Sequence, residues 1–321
     1  MKMNSSYLLF YYTMIIGILV SISSNNWIMI WTGLEITMMS FIPLMSGGVM
    51  TSESSMKYFI IQSVSSSLLM LSLMLMMLKI DYKYLMIISL SLKTGIAPFH
   101  SWILSIVDGM DYNSMLMLLT IMKISPLVMM SYLNMNMDML IMLSLFIGSI
   151  FGLNQNSIKK ILAYSSIYNM GYIISITNSN QVWMLYLILY SFVLTMLVKM
   201  ISTQKINYIN QMMINELMMI LKMNMWMLIL SLGGVPPLMG FFPKFMVIEL
   251  LINKKMMLIV FMMIMTSLIV MFFYIRMMYL MFISSSILMI WMIIKLNNKS
   301  LWYLIINSML FPILILIKSL Y

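Results

Sequence analysis

Runs of apolar residues of helical length follow one another along almost the whole chain, parted only by brief polar loops. A bilayer core about 30 Å thick needs about 20 consecutive apolar residues per helix. Lipid offers backbone groups no water, so only helices and closed barrels span it. The 321 residues then allow roughly ten to twelve helices joined by short loops. We place the spans at 6–23, 27–46, 57–78, 84–106, 113–133, 138–154, 159–178, 181–203, 223–246, 256–283 and 301–319. Segment 286–295 is too short to span and reads as an interfacial helix or an extension of its neighbour. The run from Tyr7 to Val20 follows one Lys as a signal peptide does, but no small-x-small motif comes after it, so we take it as the first span. The expected fold is all-α, a polytopic membrane protein of about eleven transmembrane helices.

Two stretches break this pattern. Leu232 to Phe245, LGGVPPLMGFFPKF, holds Gly233, Gly234, Pro236, Pro237, Pro243 and Lys244 inside an apolar region. A Pro within a helix removes a hydrogen bond and clashes with the preceding turn, at about 3 kcal/mol or more. In a membrane such a break survives where the backbone is buried in protein or lines a wet cavity. Lys244 adds the cost of a charge at depth. Ser91 to Trp102, SLKTGIAPFHSW, repeats the theme with Lys93, Gly95 and Pro98. Paired interrupted helices in two halves of a chain point to two inverted repeats with discontinuous helices and an ion site. The longest loop, Thr203 to Lys222, sets the halves at about 1–205 and 206–321 of one transmembrane domain.

Composition narrows the function classes. The chain is 63% hydrophobic and 8% charged, against about 25% charged residues in a soluble domain. No segment is long enough for a nucleotide-binding module. The net charge of +10 comes from single Lys residues between spans, which sets topology rather than nucleic-acid affinity. With no Cys and one His, thiol-ligated clusters and haem pairs are excluded, and redox chemistry is not expected within this polypeptide. The 49 Met, the near absence of Ala and Arg276 as the only Arg read as the bias of an AT-rich genome whose code turns ATA into Met, hence mitochondrial encoding.

The ionisable residues at depth carry the chemistry. Glu35 lies near the middle of its span, as do Lys93 and Lys123, and Pro126 follows Lys123 closely. A carboxylate there must be paired, protonated or hydrated. Burial disfavours a charged Lys and a nearby carboxylate favours it, so a Lys held between the two can take up and release a proton. The alternatives are an interfacial position for Glu35 or Lys244 and snorkelling for Lys93 and Lys123. His100 reads equally as a proton shuttle or as a cap on carbonyls of the break. Lys159 and Lys160 open a span and read as topology-setting charge, while Lys199, Glu249 and Arg276 sit nearer span ends and read as anchors or helix-contact pairs.

The segments WTGLEITMMSFIPLM, KYFIIQSVSSSLL, SLKTGIAPFHSW, GLNQNSIKKILAYSSIYNMGY and SLGGVPPLMGFFPKF, in this order, resemble the NADH dehydrogenase subunit 2 family of mitochondrial complex I. The resemblance runs from about residue 25 to 280. It implies an antiporter-like, proton-translocating subunit of the membrane arm of NADH:ubiquinone oxidoreductase, in the mitochondrial inner membrane. Its implied proton path falls on Glu35, Lys93, Lys123 and Lys244. It implies partners among the other membrane-arm subunits and lipids, with no nucleic acid and no soluble substrate. No cofactor is expected in this chain, since FMN and iron–sulfur clusters belong to other subunits. The family's Arg–Lys pair is Lys159–Lys160 here, and Ile103–Leu104 stand where the family has Pro-Glu; Asp108 and Asp111 are the acids that follow. Two other readings stay open: a stand-alone cation/proton antiporter, and a structural subunit whose charges are locked in static pairs.

Overall fold

A computed structural model describes residues 5–133, 135–214, 219–285, 302–303, 305–309 and 312. Every named element among them is a helix: α1 (Ser5–Ser23), α2 (Trp27–Met45), α3 (Val49–Met77), α4 (Lys83–Thr94), α5 (Ser101–Val107), α6 (Tyr112–Leu119), a 3-10 turn (Ile121–Lys123), α7 (Ile124–Leu133), α8 (Asp138–Leu153), α9 (Ile158–Ser175), α10 (Asn180–Gln204), α11 (Gln211–Ile214), α12 (Met219–Gly233), α13 (Phe241–Asn253) and α14 (Met257–Ser285). Among the described residues six helical stretches are long and apolar enough to cross a bilayer: α1, α2, α3, Tyr112–Leu133, Val182–Gln204 and Met257–Tyr279. The all-helical, multi-span class follows. Segment 286–295 and most of 301–319 lie outside the described residues.

The chain forms two compact units, Met1–Leu140 and Ile141–Tyr321. This division falls near the start of α8. In the first unit α1 and α2 meet glycine to glycine. A Cβ on Gly17 would lie 2.9 Å from the Gly33 carbonyl oxygen, and one on Gly33 would lie 2.7 Å from that of Gly17. Small residues let helix backbones approach this closely where lipid gives no hydrophobic drive to association. Phe41, Leu90 and Ile103 are fully buried in this unit. In the second unit α9 is buried from Ile161 to Ile174, and Tyr168, Tyr172 and Phe273 are buried completely.

Several boundaries differ from those read off the sequence. α3 begins at Val49, not 57, because Ser52, Ser54 and Ser55 return their hydroxyls to carbonyls three residues back and Gly48 caps the helix on the Thr51 hydroxyl. A polar stretch that reads as loop is thereby self-satisfied as helix. The run 113–133 is interrupted: α6 ends at Leu119, and a 3-10 turn precedes α7. Pro126 has no N–H for the carbonyl one turn earlier, which accounts for the tightened backbone at Lys123.

The Gly/Pro clusters do end helices. α4 stops at Thr94 with Gly95 in the left-handed region at φ 67°, and α5 starts at Ser101 beyond Pro98. α12 stops at Gly233, Gly234 has φ 87°, and α13 starts at Phe241 beyond Pro236 and Pro237. Gly reaches such φ values at no steric cost. Pro243 belongs to the first turn of α13 rather than to the break, since its missing N–H is not needed there. Lys244 is likewise inside α13.

Candidate functional site

In the first unit, α2 carries Glu35, the last turn of α4 carries Lys93 and the 3-10 turn carries Lys123. Lys93 Nζ donates to Glu35 Oε1 at 3.3 Å. Their side chains are 3% and 20% exposed, so the ion pair is taken largely out of solvent. Where α4 stops, its last carbonyls lose their helical partners, and Gln62 Nε2 on α3 donates to the Lys93 carbonyl at 3.3 Å. That bond fixes the backbone from which the Lys93 side chain leaves.

Lys123 is buried, and its Nζ has no hydrogen-bond partner among the described residues. It shares one cavity with Lys93, Thr37, Tyr58, Gln62 and Thr94. The space open to the centre of a water molecule is ≈ 20 Å³. About 10–15 Å³ by this measure holds one water, which needs two to four polar partners. The lining meets that requirement, with Lys93 and Lys123 both on the wall.

In the second unit Lys244 Nζ donates to the carbonyls of Leu232 at 3.1 Å and Gly233 at 2.7 Å. These are orphan carbonyls at the end of α12. Nζ also lies 5.5 Å from the centroid of the Tyr168 ring. Gly234 makes the approach possible: a Cβ there would lie 2.9 Å from Lys244 Cδ and 3.0 Å from Nζ. Tyr168 and Tyr172 share a hydroxyl–hydroxyl bond of 2.9 Å, and Tyr172 donates to the Met263 carbonyl at 3.1 Å.

The structure thus brings Glu35, Lys93 and Lys123 together in the first unit and builds Lys244 into the helix break of the second. His100 is half-buried, its Nδ1 3.1 Å from the Pro98 carbonyl oxygen, and it is not on the cavity wall. Lys160 is half-buried in the first turn of α9. Asp108 and Asp111 are exposed at the ends of α5 and α6 and do not line the cavity. Arg276 anchors α14 to the end of α8, donating to the carbonyls of Leu153 and Gln155 at 2.6 Å each. Ser63, Ser65, Ser66 and Ser67 donate to carbonyls of their own helix. Sequence reasoning missed Gln62 and Tyr168. The Lys93 carbonyl, left open by the Gly95 break, was the available signal for a capping residue.

Comparison with known proteins defines the class first. The family model described as NADH:quinone oxidoreductase/Mrp antiporter, transmembrane, matches residues 24–82 and 79–270. The chain is 40% identical over 260 residues to the NADH-ubiquinone oxidoreductase chain 2 of Anopheles gambiae, covering 76% of each. It is 40% identical over 263 residues to that of Aedes aegypti, again covering 76% of each. The chain belongs to the NADH-ubiquinone oxidoreductase chain 2 family. Its fold is similar to a chain of respiratory complex I from Thermus thermophilus with bound aureothin (TM-score 0.79, 19% identity, 87% of this chain and 71% of that one). It is also similar to a chain of the Mrp complex from Dietzia sp. (TM-score 0.74, 13% identity, 84% and 59%).

Proposed function

We propose that this chain is a proton-translocating subunit in the membrane arm of NADH:ubiquinone oxidoreductase, moving protons through Glu35, Lys93, Lys123 and Lys244. The family membership supports its being part of that enzyme. The observation that carries the proton path is Lys123: a buried ammonium with no hydrogen-bond partner among the described residues, on the wall of a water-sized cavity shared with Lys93. An isolated charge at such depth is costly, and a water in the cavity gives it a partner and a route.

Glu35 and Lys93 form the switch. While the carboxylate stays close, Lys93 holds its proton. When the carboxylate withdraws or is neutralised, the proton passes by water to Lys123 and onward to Lys244. The driving force reaches this chain through neighbouring subunits, with FMN and iron–sulfur clusters in other subunits of the enzyme and no cofactor in this chain. Its partners are other membrane-arm subunits and lipid, and its place is the mitochondrial inner membrane, with the gene in the mitochondrial genome. In this reading α4 with α5, and α12 with α13, are the halves of two discontinuous helices in an eleven-span protein of two inverted repeats, with sequence halves at about 1–205 and 206–321.

A second reading, a subunit that only braces the arm, draws on the fixed partners of Lys93 and Lys244. Lys123→Met in the assembled complex separates the two. The proton path predicts fewer protons moved per electron, and an unchanged ratio in a fully assembled complex overturns it.

A further inference from the structure

We infer that Tyr168 is a positioning residue for Lys244, its ring closing the third side of a cage whose other two sides are the carbonyls of Leu232 and Gly233. The inference rests on the proton-path reading of Lys244. A Lys ammonium has three N–H donors and no acceptor. Two are taken by the orphan carbonyls at the end of α12, at 3.1 and 2.7 Å. The Tyr168 ring centroid stands 5.5 Å from Nζ, inside the range of about 6 Å at which an aromatic face attracts a cation, more strongly when desolvated. Both residues are buried.

The cage differs in kind from the site at Lys93. There the partner is a carboxylate, which itself accepts protons. A carbonyl and a ring face hold an ammonium without competing for its proton. Lys244 is therefore held in place by partners that do not themselves titrate. The ring is held in turn: the Tyr168 hydroxyl bonds that of Tyr172, which donates to Met263 on α14. The Tyr172 hydroxyl ends on a backbone carbonyl, so this bond pins the ring rather than conducting protons.

The test measures protons moved per electron in the assembled complex for Tyr168→Leu, Tyr168→Phe and Lys244→Met. Expressing the ratio per assembled complex removes any change in amount, and Tyr168→Met, which refills the space with a flexible side chain, serves if the Leu variant assembles poorly. We expect Tyr168→Leu and Tyr168→Met to lose at least half of what Lys244→Met loses, and Tyr168→Phe, which keeps the ring, to restore most of the ratio. If Lys244→Met lowers the ratio while the Leu and Met variants match the parent, the cage inference is overturned and the proton path stands. If Tyr168→Phe falls as far as Tyr168→Leu, the ring face alone does not hold Lys244, which also overturns it. If Lys244→Met itself leaves the ratio unchanged, the role of Lys244 in the proton path is wrong.

Discussion

Lys93 and Lys123 face one cavity, yet Lys93 has a carboxylate 3.3 Å from its Nζ while Lys123 has no hydrogen-bond partner among the described residues. Two buried ammonium groups of the same chemistry thus sit in opposite settings around a space of water size. On the proposed proton path, these unequal settings are what gives a proton a direction once the carboxylate moves.

Glu35→Gln and Lys93→Met should each destabilise the subunit, because each leaves one member of a buried pair uncompensated. Removing one partner of a fully buried pair costs about 3–5 kcal/mol. Glu35 is partly exposed, so we expect less. The double variant should be less harmful than the sum of the singles, with a coupling of about 0.5–3 kcal/mol. Thermal inactivation of the assembled complex checks this, and additive single effects would show that the pair is not coupled.

Gln62→Leu should loosen the break at Gly95. It leaves the Lys93 carbonyl, which ends α4, without its side-chain donor. A buried acceptor left open costs about 1–3 kcal/mol. Hydrogen exchange in the assembled complex should rise at residues 93–96, while Gln62→Asn should fall between the two.

Gly234→Ala should lower the amount of assembled complex. The position has φ 87° and no room beside Lys244, and an L-residue in the left-handed region costs about 1–2 kcal/mol before any clash. Gly47→Ala is the control, since nothing lies within 4 Å of a Cβ there. Equal assembly of the two variants on a native gel would contradict the account of the second break.

Gly17→Val should part α1 from α2. The added side chain meets the Gly33 backbone of the facing helix, and close-packed helices respond to overpacking with a loss of about 1–3 kcal/mol or more. Protease protection of the 23–27 turn in membranes should fall, and unchanged protection would show that the contact is dispensable.

The membrane class, the Gly/Pro clusters that end α4 and α12, the buried Lys93 and Lys123 and the largely buried Glu35 were legible because each rests on a local signal: apolar run length, Gly/Pro clustering, and charge at depth. What escaped depends on contacts between distant segments or on backbone detail. Tyr168 is one aromatic among many in an apolar helix, and only the fold sets it beside Lys244. Gln62 is marked only by the carbonyl it caps. Pro126 stood beside Lys123 in plain view, but the 3-10 turn it accompanies is a three-residue feature that apolar periodicity does not register. The early start of α3 was hidden because its first turns are polar and satisfy themselves. Pro243 read as part of the break because Pro marks a helix start and a helix interruption with the same letter.

The most direct measurement is an experimental structure of the assembled complex at a resolution that shows water, read at Lys123. The account predicts at least one ordered water hydrogen-bonded to its Nζ within the cavity, leading toward Lys93. A Lys123 ammonium capped dry by a fixed carbonyl or carboxylate would contradict it, and the pumping would then have to be sought in the neighbouring subunits.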